Sequence, residues 1–110
     1  MAPYIPRQGD LIALSFDPQA GHEQKGRRPA IVVSKTLFNE RTGLCICCPI
    51  TSTRRGYPFH VEVPEGLPVN GVVMCEQVKS IDHRARSASL IAHAPHALLS
   101  DVLAVLDACF

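Results

Sequence analysis

The chain of 110 residues has no tryptophan, two tyrosines and four phenylalanines. So few flat rings weigh a little against a surface that stacks on bases. No apolar run approaches the ~20 residues that a membrane-spanning helix needs, so contact with a membrane is not expected. The opening residues, MAPYIPRQGD, lack the charged-then-apolar layout of a secretory signal, and export is not expected either. There is no repeat and no low-complexity tract. One formal C-x-x-C runs from Cys45 to Cys48, with no second C-x-x-C or H-x-x-H to complete a zinc set. On a strand those two cysteines point to opposite faces, so they are poorly placed to share a metal or a disulfide. Five cysteines is an odd number, and three of them crowd into CICC. Buried free thiols in a reducing cytoplasm fit this better than a disulfide framework. Neither a metal nor a cofactor is expected.

What is present is a hydrophobic fraction of 46% in a length suited to one globular domain, residues 1–110. So small a domain buries only part of its surface, and dimerisation is a common remedy. The net charge of +1 says nothing about partners, but its distribution does. Residues 25–55 hold seven cations against Glu40 alone, and no Lys or Arg follows Arg86. A cationic front part on a near-neutral protein fits a polyanionic partner or a set of solvated loop charges.

Nine prolines and seven glycines punctuate short apolar stretches, a β-rich pattern. Strands are expected at LIALSF (11–16), AIVVS (30–34), LCICCPI (44–50), FHVEV (59–63), VVMCEQVKSI (72–81, bent near Glu76) and LIAHA (90–94). AIVVS is apolar throughout and suits a strand buried on both faces. NERTG (39–43) reads as a turn and PEGLPVNG (64–71) as a loop. Pro95 suits a helix N1 position, and an apolar face from Leu98 to Leu106 marks a short amphipathic helix. Six or so strands and a terminal helix suggest a small, strongly bent barrel or sandwich.

Three constellations carry possible chemistry. GHEQKGRRPAIVVS (21–34) sets Lys25, Arg27 and Arg28 before a core strand, with Glu23 five residues upstream of Arg28. A guanidinium is planar, permanently charged and can donate two parallel hydrogen bonds to phosphate, and Pro29 restricts Arg28 to extended backbone. PITSTRRGYPF (49–59) offers Thr51, Ser52 and Thr53 ahead of Arg54 and Arg55. Such a group can cradle phosphate or form a self-bonded turn. In QVKSIDHRAR (77–86), period-two spacing puts Gln77 and Lys79 on one strand face, and Arg84 and Arg86 repeat the spacing. That strip suits single-stranded nucleic acid, or is solubilising charge. The histidines are scattered and are expected to face solvent.

Taken together, GDLI, EQKGRRPAIVVS, TGLCIC, PIT, GYPF and QVKSIDHRAR, in this order and followed by an apolar helix, resemble the MazF/PemK family of toxin–antitoxin ribonucleases. The match runs from about Tyr4 to the last helix. The resemblance implies an all-β-dominated fold, a small SH3-like (CcdB/MazF-like) β-barrel with a C-terminal α-helix, assembled as a homodimer. It implies a toxin that cuts single-stranded RNA, chiefly mRNA, without a metal, and a cognate MazE/PemI-like antitoxin with an acidic segment. It puts catalysis on Arg28, Thr51 and Glu23, and RNA contacts on Gln77 and Lys79. Glu76, His83 and the loop 64–70 depart from the family pattern and bear on which RNA sequence is read. Two non-enzymatic alternatives of the same fold stay open: a gyrase-binding toxin and a member that only buffers an antitoxin.

Overall fold

A computed structural model describes residues 3–15 and 27–110. In chain order the elements are β1 (Asp10–Ser15), β2 (Arg27–Val32), α1 (Thr36–Thr42), β3 (Leu44–Thr51), β4 (His60–Glu62), β5 (Val72–Met74), a 3-10 turn (Cys75–Gln77), β6 (Lys79–Asp82), β7 (Ser89–His93) and α2 (His96–Cys109). The pairing order is β4-β5-β3-β2-β1-β7, with β6 also on β3. Every pair is antiparallel. The sheet curls about its core in barrel-like fashion without closing. The expected β-dominated fold with a C-terminal helix is what forms. No helix among the described residues is long and apolar enough to cross a membrane.

The centre is β2 against β3, with Ala30 opposite Pro49 and Val32 opposite Cys47. Alternation sends their side chains to two separate clusters. Ile31, Val33, Cys48 and Ile50 meet Leu98, Val102 and Leu106 of α2 on one side. Ala30, Val32, Cys45 and Cys47 pack with Ile12, Leu14 and Ile81 on the other. The second strand is thus buried on both faces, as its unbroken apolar run requires. Cys45 and Cys48 fall in different clusters, as their spacing requires. All five cysteines are free, and only Cys109 is exposed.

Three local expectations are corrected. NERTG is not a turn: Asn39 to Thr42 close the helix α1, and only Gly43, with φ of 75°, turns the chain. This helix has no side-chain N-cap, so its hold is tertiary. The buried Asn39 amide donates to the Pro6 carbonyl at 2.8 Å, and its side-chain oxygen accepts from the Ser34 hydroxyl. Residues 72–81 are not one strand: the chain breaks at Cys75–Gln77 into the 3-10 turn, at the expected bend. Pro95 is the N-cap of α2, one position before the expected N1.

Candidate functional site

Arg28 and Thr51 reach one spot because of strand register. Two residues beyond the Ala30–Pro49 pair, the β2–β3 ladder extrapolates to Arg28 opposite Thr51. Arg28 is also held from the other side, opposite Leu14 of β1. Both residues line an open groove of about 520 Å³ with Ser52, Asn70, Pro29 and Ile91.

The two adjacent arginines are used differently. Arg27 donates to the carbonyls of Ala13 at 3.0 Å and Ser87 at 2.8 Å, and to the Ser89 hydroxyl at 2.9 Å. Those bonds tie β2 to the turn before β7. Arg28 is exposed, and among the described residues no hydrogen bond or ion pair engages its guanidinium. Thr51 Oγ1 accepts the backbone N–H of Thr53 at 3.2 Å. One lone pair is occupied, and the hydroxyl proton stays free to be donated.

The wall beyond Thr51 is set by Gly71. Its φ is +120°, and a Cβ there would lie 2.1 Å from the Thr51 carbonyl oxygen. Only glycine lets the 64–71 loop close on Thr51 and bring Asn70 to the groove. Pro68, Val69 and Asn70 belong to the loop 64–70 that the sequence marked as distinct, though none of the three was named individually. The Asn70-Gly71 turn dipeptide was the available signal.

Other residues singled out from the sequence are dispersed. Ser52 lines the groove, whereas Thr53, Arg54 and Arg55 are exposed beyond it. Arg54 forms a forked ion pair with Glu62, with Nε at 3.0 Å from Oε2. The pair raises the Arg54 pKa and lowers that of Glu62. Gln77 sits in the 3-10 turn and Lys79 opens β6, so the break between them overturns the shared strand face. Arg84 and Arg86 lie in the turn after β6, and Arg86 donates to the Ser15 carbonyl at 3.2 Å. Glu23 and Lys25 lie outside the described residues.

Two histidines contradict the solvent-facing expectation. His83 is buried, with Nε2 3.2 Å from the Asn39 carbonyl. The His60 side chain is 5% exposed, with Nε2 3.0 Å from Glu76 Oε2. The Tyr57 ring lies against it, with centroids 5.0 Å apart, a contact that sequence alternation alone could not show.

Comparison with known proteins gives a consistent answer. Residues 7–110 match the model of the family described as PemK-like, MazF-like toxin of type II toxin-antitoxin system. The chain is 50% identical over 86 residues to the endoribonuclease toxin MazF of Escherichia coli K12, covering 78% of this chain and 77% of that one. A crystal structure of MazF from Deinococcus radiodurans superposes with a TM-score of 0.87 at 47% identity, covering 97% of each chain. A MazE-MazF crystal structure from the same organism gives 0.86 at 40% identity, over 97% of this chain and 96% of that one. The chain therefore belongs to the PemK-like, MazF-like family of toxins of type II toxin–antitoxin systems.

Proposed function

We propose that the protein is an endoribonuclease toxin that cuts single-stranded RNA by attack of the substrate's own 2′-hydroxyl on the adjacent phosphodiester. The observation that carries this reading is that Arg28, whose guanidinium meets no partner among the described residues, and Thr51, whose hydroxyl accepts from Thr53 and keeps a proton to donate, line one open groove. The attack forms a bond from O2′ to phosphorus and breaks the bond to O5′; the 2′-hydroxyl loses its proton, the departing O5′ takes one up from solvent, and a 2′,3′-cyclic phosphate and a 5′-hydroxyl are left. Negative charge builds on the non-bridging oxygens on the way. Arg28 meets that charge with a permanent cation whose fork fits two oxygens. Thr51 donates to the same phosphate and holds it in line with the attacking oxygen. Arg28 is a poor base, since guanidinium pKa values lie far above 7. Glu23 is our candidate to orient Arg28 or to take the 2′-proton. Ser52 and Asn70, at the groove wall, contact the flanking nucleotides.

Two partners belong to this reading. One is a second copy of the chain, for which the exposed Leu90, Leu103 and Phe110 offer apolar surface. The other is a MazE-like antitoxin whose acidic segment covers the cationic groove. A cytoplasmic location belongs to the same reading, supported by an RNA substrate and by free thiols that suit a reducing compartment.

The test is an RNA oligonucleotide carrying the cut site and a copy with one 2′-deoxy sugar at the scissile position. The all-ribose strand is expected to be cut with or without EDTA. The deoxy strand is expected to bind and stay intact. Cleavage of the deoxy strand would remove the 2′-hydroxyl mechanism. Intact RNA in both would favour a non-enzymatic toxin.

A further inference from the structure

Ile50 of β3 lies opposite Val73 of β5. Extended by two residues, that register sets Cys48 opposite Cys75, the first residue of the 3-10 turn. Both side chains are fully buried and belong to the same apolar cluster. Opposed residues on antiparallel strands have Cα atoms about 4.5 or 5.5 Å apart, and Cys75 stands one residue past the end of β5. Disulfides span Cα separations of about 4.4–6.8 Å, so either value is admissible. The two side chains are within hydrogen-bonding reach of each other, and the Cys75 thiol also faces the Val73 carbonyl at 4.0 Å. The Cys48 S–H donates to the Cys75 sulfur, which lowers the Cys75 pKa against the opposing effect of burial. The same bond, with burial, raises that of Cys48.

A second pair in the molecule serves as a control. Cys45 and Cys47 are also buried, and their thiols also share a hydrogen bond. They sit two residues apart on one strand, which puts their Cα atoms roughly 6.6–6.8 Å apart. That is the upper limit for a disulfide, with side chains side by side rather than facing.

We propose that Cys48 and Cys75 are a disulfide-forming modification site, closed by a two-electron oxidant of the peroxide class. The Cys75 thiolate attacks one oxygen of hydrogen peroxide, forms a sulfenic acid and expels hydroxide. The Cys48 sulfur then attacks the sulfenyl sulfur, its proton leaving with the second hydroxide as water. Two thiols and one peroxide become one disulfide and two waters. Peroxide takes up the two electrons that the sulfurs lose. Burial makes the reaction slow and dependent on opening of the 3-10 turn. The bond ties that turn, which carries Gln77, to the strand that carries Thr51. The cross-link does not rest on the nuclease reading; its effect on cleavage does.

The experiment treats the folded Cys109→Ser protein with hydrogen peroxide, then alkylates it unfolded and maps peptides by mass spectrometry. A cross-linked Cys48–Cys75 peptide is expected, lighter by two hydrogens and cleaved by dithiothreitol. Cys45 and Cys47 are expected to remain alkylatable. Cys48→Val is expected to lose the cross-link, and RNA cleavage is expected to fall on oxidation and return on reduction. Alkylation of both Cys48 and Cys75 after peroxide, or their conversion to sulfinic acids, overturns the proposal. Mapping the Cys109→Ser protein decides the matter even if a core variant fails to fold. A mapped cross-link in a protein that never cuts RNA keeps this proposal and removes the nuclease reading.

Discussion

The two ends of β1 and β2 hold similar polar groups in opposite conditions. At the Asp10 end, a carboxylate 1% exposed accepts from the Tyr4 hydroxyl, from the Arg7 backbone N–H at 3.0 Å and from His93 Nδ1 at 2.8 Å. At the Arg28 end, the guanidinium meets no partner among the described residues, and the Thr51 proton is free. Both ends are anchored on the same rigid strands. The first end is saturated and holds the fold together. The second keeps its donors unspent on fixed backbone, which is what stabilising a transient charge requires. The same contrast recurs between neighbours: among the described residues Arg27 makes three bonds to its own chain and Arg28 none.

The largest effect that can break this comparison comes from the two arginines. Arg28→Ala is expected to lower RNA cleavage by about 10²–10³-fold while leaving the thermal midpoint unchanged. Arg27→Ala is expected to do the reverse: a lower midpoint, with cleavage by the folded protein largely kept. Gel-based cleavage rates and calorimetry on both variants decide it. A stable, inactive Arg27→Ala beside an active Arg28→Ala would reverse the roles assigned to them.

The Asp10 end comes next. Asp10→Ala strands the Tyr4 hydroxyl and the Arg7 N–H beside a cavity. Hydrogen bonds to a charged group are worth about 1.5–3 kcal/mol. At roughly 4–8 °C per kcal/mol for a domain near this size, the midpoint is expected to drop by ten degrees or so. Cleavage measured well below that midpoint is expected to stay near that of the parent. A loss of activity without a loss of stability would show that this end also serves the groove.

How far the sequence could carry these distinctions depended on whether neighbours in the chain decide the outcome. The unbroken apolar run after Pro29 gave the doubly buried β2, because no other arrangement hides Ala30 to Val33. The cysteine spacing gave separate faces for the same reason. Arg28 and Thr51 were named as a pair through resemblance to a family. Their meeting is a matter of β2–β3 register, which no local pattern encodes. What stayed hidden was set by distant contacts. α1 is held by Asn39 bonding to Pro6, and His60 is met by the Tyr57 ring and by Glu76 from the 3-10 turn. Arg27 and Arg28 look equivalent in RRPA. Only the carbonyls of Ala13 and Ser87 tell them apart.

The smallest effect sharpens the comparison from a third side. Arg54 is spent, like Arg27, but on an exposed carboxylate, Glu62. The ion pair lowers the Glu62 pKa, hydrogen bonding first and charge attraction lesser. A carboxylate with a lowered folded-state pKa adds stability above its unfolded value, about 4.3, and loses it as pH falls through the folded value. Glu62→Gln should therefore change the midpoint slightly at neutral pH and not at all in acid. Added salt should erase the difference, because solvent and ions screen an exposed pair. The same variant releases Arg54 beside the groove. If being spent is what separates structural from functional cations, Glu62→Gln should tighten RNA binding modestly, and Arg54→Ala should weaken it little. Strong loss of binding in Arg54→Ala would mean that RNA takes Arg54 from Glu62, and an existing ion pair would no longer mark an arginine as structural.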